Sequence, residues 1–253
     1  MSFLNQTAIV TGAGQGIGFA IAEGLCQQGA NVLLNDLDET LCFEAAERIR
    51  QGGGRCEALP GDAAEVLFIQ QLVDTAVDRF GGVDLVVANA GLTLFGDFFS
   101  YDPTHFERVL NLNLRGSFFL TQAAARQMRE QGRGGSVLLM SSVVGHQAHP
   151  GLAAYAMTKA ALEMLAKNLV LDLSPYGITI NALAPGATQT ERTLDDPDYV
   201  PIWSRITPMG RPATVADMTH AALFLLNPAS RHITGQSLVV DGGWTSVSPP
   251  PNP

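Results

Sequence analysis

Tyr155 and Lys159 stand four residues apart in the run Tyr155-Ala156-Met157-Thr158-Lys159. On a helix that spacing puts both side chains on one face, where they can touch. A free phenol titrates near ~10 and is a poor base at neutral pH. An ammonium group held beside it favours the phenolate and lowers that value. The pair is therefore a means of moving a proton near physiological pH. Such pairs also arise by chance on helices, so the meaning of this one depends on its surroundings.

The second chemical feature is the run Thr11-Gly12-Ala13-Gly14-Gln15-Gly16-Ile17-Gly18, between a strand signal and a helix signal. Glycines permit a tight turn and a close approach of backbone to a pyrophosphate. The helix that follows offers unpaired N–H groups and the positive end of its dipole to the phosphates. Asp36 ends the next strand signal, where a carboxylate hydrogen-bonds ribose hydroxyls and repels a 2′-phosphate. No arginine or lysine occurs between Gly12 and Arg48 to bind such a phosphate. The pattern predicts NAD as cofactor, with NADP disfavoured.

These groups need a scaffold. Strand signals fall at Thr7–Thr11, Asn31–Asn35, Arg55–Leu59, Asp84–Ala88, Ser136–Met140, Ile178–Leu183 and Ser237–Val240. Helical patterns lie between them, at about 17–28, 38–51, 64–80, 104–131, 153–174 and 214–227. Ala8-Ile9-Val10 and Leu85-Val86-Val87 are apolar throughout, as in strands covered on both faces. The alternation predicts an α/β fold: a Rossmann-type doubly wound parallel sheet of about seven strands, with helices on both faces. No linker or repeat divides the chain, so residues 1–247 are read as one domain. The polar, proline-bearing stretch 187–213 is expected to be a substrate lid. The Pro-rich tail 248–253 is expected to fray.

Composition narrows the function classes. A hydrophobic content of 46% supports a large core, and a formal net charge of -9 argues against nucleic acid as a partner. No apolar run is long enough to cross a membrane. Met1–Gln6 lacks the regions of a signal peptide. The three cysteines, Cys26, Cys42 and Cys56, form no close pair and fit reduced thiols. A cytoplasmic protein is expected.

The glycine spacing Thr-Gly-x-x-x-Gly-x-Gly resembles that of the short-chain dehydrogenase/reductase family in its smaller, classical form. The resemblance extends along nearly the whole chain. Asn89-Ala90-Gly91 resembles the family's Asn-Asn-Ala-Gly stretch, with Ala88 in place of the first asparagine. Asn113 matches the helix asparagine, and Pro185-Gly186 the turn near the nicotinamide. Val240-Asp241-Gly242-Gly243 resembles the family's C-terminal end. Tyr155 follows Ser142 by 13 residues, which selects Ser142 over Ser141. The resemblance implies Asn113, Ser142, Tyr155 and Lys159 as the catalytic set. Tyr155 is then the acid/base, Lys159 lowers its pKa and binds the nicotinamide ribose, Ser142 orients the substrate oxygen, and Asn113 holds a relay water. The cofactor-binding set implied is Gly12, Gln15, Gly16, Ile17, Gly18, Asp36, Leu37, Asp62, Ala63, Asn89, Gly91, Tyr155, Lys159, Gly186 and Thr188. Within it, Asp62 lies beside the adenine and Thr188 reaches the carboxamide. The cofactor carries the hydride; the protein supplies position and a proton path.

The resemblance implies a small alcohol or carbonyl compound as substrate; a sugar, polyol or hydroxy acid would suit the polar loops beyond the strand ends. Thr93, His146, His149, Leu152, Glu191 and Trp203 are the candidates to meet it, with Leu94, Gln147, Ala187, Arg192 and Leu194 nearby. His146 and His149 lack a third ligand, so no metal site is assigned and His146 is expected to face the substrate. Asp195, Asp196 and Asp198 read as a solvated loop. A 3-oxoacyl-carrier-protein reductase is the near alternative; Asp36 and the net charge of -9 count against it. A non-catalytic NAD-binding regulator is the alternative of another class, and the presence of both Tyr155 and Lys159 counts against that. The resemblance also implies a homo-oligomer, a dimer or homotetramer. Leu162, Leu165, Leu169 and Leu173 form an apolar stripe that an interface or the sheet could equally bury.

Overall fold

The β-branched and apolar runs form one seven-stranded parallel sheet in the order β3-β2-β1-β4-β5-β6-β7. The strands are β1 (Thr7–Val10), β2 (Asn31–Leu34), β3 (Arg55–Ala58), β4 (Leu85–Ala88), β5 (Gly135–Met140), β6 (Ile178–Pro185) and β7 (Ser237–Val240). The structure is a computed structural model that describes residues 2–248. Of the tail expected at 248–253, residues 249–253 lie outside the described residues.

Eight α-helices pack around the sheet: α1 (Gly16–Gln27), α2 (Glu39–Gln51), α3 (Val66–Phe80), α4 (Pro103–Leu110), α5 (Ser117–Gln131), α6 (Ala153–Leu173), α7 (Tyr199–Ile206) and α8 (Val215–Leu226), counted among the described residues. The period-2 alternation of β1 explains its continuous apolar run. Ala8 and Val10 enter a core with Ile21 and Leu25 of α1, Ile49 of α2 and Leu225 of α8. Ile9 enters the opposite core with Leu72 of α3, Leu120 of α5 and Leu162 of α6. Each such Val, Leu or Ile side chain, fully buried, stabilises by ~1.5–3 kcal/mol. The stripe Leu162, Leu165, Leu169 and Leu173 belongs to this second core, so the sheet face covers it.

Two elements differ from expectation. The helix predicted over 104–131 is α4, a π-helical segment Asn111–Gly116, and α5. The widened turn is where side chains turn outward to neighbouring loops. Asn113 bonds the backbone of Leu92, Arg115 Nη1 donates to Ala64 O at 2.9 Å, and a Cβ at Gly116 would collide with the Ala63 carbonyl. Such segments cost regular i→i+4 bonding and are common at functional sites. The stretch 187–213, expected to be a substrate lid, contains more regular structure than its proline content suggests. It contains a 3₁₀ turn, Glu191–Thr193, and α7. Backbone bonds from Gln189 N to Ala213 O and from Ala213 N to Ala187 O, both 2.8 Å, close its base.

Strand order reverses at β1: β2 and β3 lie to one side, β4 to β7 to the other. In a doubly wound sheet the crevice beyond the carboxyl ends at that point is where ligands bind.

Candidate active site

A cleft of about 810 Å³ opens there, walled by the glycine-rich turn on one side and α6 on the other. The turn is fastened by Asn89, whose Nδ2 donates to the carbonyls of Thr11 (2.9 Å) and Gly12 (2.8 Å). Thr11 Oγ1 accepts in return from the amides of Asn89 and Ala90. A Cβ at Gly12 would lie 2.8 Å from Ala90 Cα, so only glycine fits this packing, and its φ of +60° makes the same demand. Ala88, where the resembling stretch has asparagine, is buried in the sheet core and leaves these bonds intact.

The N-terminus of α1 is free to bind an anion. Gln15 at its N-cap makes no side-chain capping bond, and its first turn has no acidic residue. Gln15, Gly16, Ile17 and Gly18 line the cleft beside these N–H groups. At the far end, Asp36 accepts the amides of Gly14 (Oδ2, 2.9 Å) and Asp38 (Oδ1, 3.1 Å). Leu37 is exposed there, and Asp62 and Ala63 line the adjoining wall. Asp62 Oδ1 accepts the Ala64 amide at 2.8 Å. Uncapped amides at the middle, which donate, and carboxylates at the end, which accept, are the groups that a dinucleotide's pyrophosphate and ribose diol require. The residues fit that group.

Tyr155, Lys159 and Ser142 line the opposite wall together. Lys159 is almost completely buried, and its Nζ donates to Met140 O at 2.6 Å. That nitrogen stands 5.3 Å from the Tyr155 ring centroid. Among the described residues no carboxylate pairs with it, so one uncompensated cation faces the phenol. Gly91 fills the space beside it: a Cβ there would come 3.4 Å from Lys159 Nζ and 3.5 Å from Asn113 Oδ1. Asn113 itself is fully buried behind the cleft. Its Oδ1 accepts Leu92 N at 2.7 Å, and its Nδ2 donates to Leu92 O (3.0 Å) and Thr158 Oγ1 (3.2 Å). The side chain thus braces the loop after β4 against α6. Gly186 and Thr188 line the cleft after β6, with Thr188 Oγ1 donating to Gly186 O at 3.0 Å.

The substrate candidates separate. Thr93, Ala187, Glu191 and Arg192 line the cleft. His146, expected to face it, turns instead to Glu163, with Nε2 2.9 Å from Oε1, because the α6 carboxylate offers its ring nitrogen a partner. His149 sits edge-on to Phe95 and contacts its neighbour's carbonyl. Leu152 is buried with Val143 and Val144. Trp203 stacks edge-to-face on Trp244 at 5.1 Å, filling its apolar face with protein. Among the described residues no cluster of three or more His, Cys, Asp or Glu side chains is arranged to hold a metal.

Three contributors were not anticipated. Tyr199 of α7 lines the cleft and donates its hydroxyl to Thr188 O at 3.1 Å; burial pushes its phenol above the ordinary value. The Met140 carbonyl receives Lys159, and no side-chain pattern encodes that. Glu163, eight residues after Tyr155 on the same helical face, is the one that periodicity could have found.

Comparison with known proteins agrees with this geometry. A family model described as enoyl-(acyl carrier protein) reductase matches residues 12–245. L-rhamnose 1-dehydrogenase (NAD(P)(+)) of Azotobacter vinelandii is 37% identical over 96% of this chain and 98% of its own length. A short-chain type dehydrogenase/reductase from Mycobacterium marinum superposes with a TM-score of 0.91 at 30% identity, covering 96% of this chain and 97% of that one. A gluconate 5-dehydrogenase from Burkholderia cenocepacia, solved with NADP and tartrate, superposes with a TM-score of 0.90 at 35% identity, covering 97% of both.

Proposed function

Since the chain belongs to the short-chain dehydrogenase/reductase family, we propose that it is an NAD-preferring dehydrogenase of a sugar or polyol hydroxyl. The coarser statement is plain: the chain is an oxidoreductase that interconverts a secondary alcohol and its carbonyl with a nicotinamide dinucleotide. The bound nicotinamide supplies the hydride acceptor or donor. The chain's own residues do the rest. Tyr155 takes the hydroxyl proton during oxidation and returns it during reduction. Lys159, held by Met140 O, keeps a positive charge against the phenol and stabilises it as the proton leaves. Ser142 orients the reacting oxygen, and Asn113 secures the loop that carries Gly91 and Leu92 over the site.

The observation that carries the NAD preference is Asp36. Two backbone amides fix its carboxylate at the adenosine end, and no lysine or arginine lines the cleft there. A 2′-phosphate would meet a fixed negative charge with no cation to offset it. The relative from Azotobacter vinelandii is named for both cofactors and the neighbour from Burkholderia cenocepacia holds NADP, so Asp36 sets the preference within a permissive family. Thr93, Glu191 and Arg192 give the substrate end hydrogen-bonding groups that suit a polyhydroxylated compound.

A panel of L-rhamnose, gluconate, simple polyols, hydroxy acids and unfunctionalised secondary alcohols, each with NAD and with NADP, tests both parts. A sugar or polyol turned over at least about tenfold better with NAD is expected. Equal or better use of NADP overturns the cofactor reading, and turnover of simple alcohols alone overturns the substrate reading.

The same reading makes the protein a homo-oligomer, a dimer or tetramer. Met157, Met164 and Leu171 recur every seven residues on α6 and are 59%, 55% and 82% exposed, an apolar stripe on the face away from the sheet. Three buried free thiols support a reducing, cytoplasmic setting.

A further inference from the structure

Ser142 is presented to the cleft by a short turn between β5 and a 3₁₀ segment, Val143–Gly145. Its own side chain does little to hold it: Oγ only accepts a long bond from Val144 N, at 3.4 Å. Backbone bonds from Gly145 N and His146 N close the turn, and Ser141 Oγ also lies 3.0 Å from Lys159 O; beyond these, one carboxylate meets the turn at both flanks. Ser141, the residue before, donates its hydroxyl to Glu163 Oε1 at 2.6 Å, the short distance of a charge-assisted bond. His146, at the turn's far end, places Nε2 2.9 Å from the same oxygen. Glu163 is largely buried, with a side chain 12% exposed.

Glu163 lies one helical turn beyond Lys159 and two beyond Tyr155, so these three share a face of α6. The turn can come this close because Gly145 carries no side chain. A Cβ there would stand 3.1 Å from Ala160 N and 3.2 Å from Glu163 Oε1.

We propose that Glu163 is a positioning residue: by gripping Ser141 and His146 it holds Ser142 in register with Tyr155 and Lys159. The proposal rests on the assignment of Ser142 as the residue that orients the substrate oxygen. It does not require the sugar reading. Glu163 touches neither the cleft nor the reacting atoms, so it acts through the turn.

Hydrogen–deuterium exchange of the full chain, without substrate, reads the grip directly. Glu163→Ala is expected to speed exchange at residues 143–146 by about 10- to 100-fold, with the C-terminal half of α6 unchanged. Glu163→Gln keeps an acceptor for Ser141 and is expected to restore at least half of the lost protection. It also carries the test if Glu163→Ala does not fold, since its exchange at 143–146 must still exceed that of the parent. In turnover, kcat falls about tenfold for Glu163→Ala while the NAD Kd stays within twofold, a split that general loosening would not give. Unchanged exchange at 143–146, or loss of NAD binding in step with kcat, overturns the proposal. Failure of every panel compound with the parent protein counts against the substrate reading alone, because the exchange arm still decides the grip.

Discussion

The Gly14 amide donates to Asp36 Oδ2 at 2.9 Å, which ties the glycine-rich turn to the carboxylate at the end of β2. A Cβ at Gly14 would fall at the same 2.9 Å from that oxygen, so a side chain there would push against the carboxylate. The proposed determinant of cofactor choice and the turn geometry are therefore one structural unit.

Replacing the charge at that position should reverse the preference. Asp36→Ser combined with Leu37→Arg removes the repulsion and places a guanidinium where Leu37 is 72% exposed. The ratio of kcat/KM for NADP to that for NAD is expected to rise about 100-fold, the scale of one gained and one lost charge-assisted contact. Steady-state kinetics with both cofactors check this. An unchanged ratio would remove Asp36 from the role.

Tyr155→Phe keeps the ring beside Lys159 Nζ and deletes only the hydroxyl. Turnover should fall by about 10³-fold or more while the NAD Kd stays within twofold. Calorimetry and the absorbance of reduced nicotinamide separate the two effects. Substantial residual turnover would mean that another group moves the proton.

Gly12→Ala and Gly53→Ala make a matched pair. Both positions have positive φ, +60° and +86°. At Gly12 the new methyl meets Ala90 Cα at 2.8 Å, whereas nothing lies within 4 Å at Gly53. Gly53→Ala should cost only the backbone penalty, ~1 kcal/mol, and keep NAD binding. Gly12→Ala should cost ~1–3 kcal/mol more and abolish the NAD-induced rise in Tm. Thermal melts with and without NAD distinguish them, and equal losses would show that sterics at the turn are unimportant.

Asp217 closes the capping box of α8 with Thr214 and pairs with Arg211 at 2.7 Å. The Arg211 guanidinium holds its carboxyl well below the usual carboxylate range, with help from the Thr214 amide. A folded-state value below the unfolded one, ~3.9, means the contribution is fully present above that pH and fades as pH falls through the folded value. The Tm difference between the parent and Arg211→Ala should therefore be largest above about pH 5 and shrink toward pH 2. A difference that grows on acidification would reverse the assignment.

Much of this was legible from residue types alone. Ala8-Ile9-Val10 and Leu85-Val86-Val87 announce buried parallel strands because neither face has a polar position. The glycine run and Asp36 announce an anion cradle with a carboxylate at its end. What sequence could not show depends on partners distant along the chain. The resemblance marks Asn113, but its bonds to Leu92 and Thr158 and the widened helix around it come only with the fold. His146 sits in a loop near the expected substrate end, and only the approach allowed by Gly145 shows that Glu163 captures it first. Trp203 offers a flat apolar face in the sequence, and Trp244, from the far end of the chain, covers it.

The fastening of Thr11 and Gly12 by Asn89 spans separations of 78 and 77 residues. Contacts this remote must wait for a large loop to close, which is slow compared with forming the helix beside the turn. During synthesis the glycine-rich turn and α1 leave the ribosome long before the clasp that shapes them exists. A nascent chain stopped before residue 89 therefore has the glycine-rich turn and its ties to Asn35 and Asp36, but lacks the Asn89 clasp. Cofactor bound at the finished turn therefore stabilises a sheet in which β4 has joined β1.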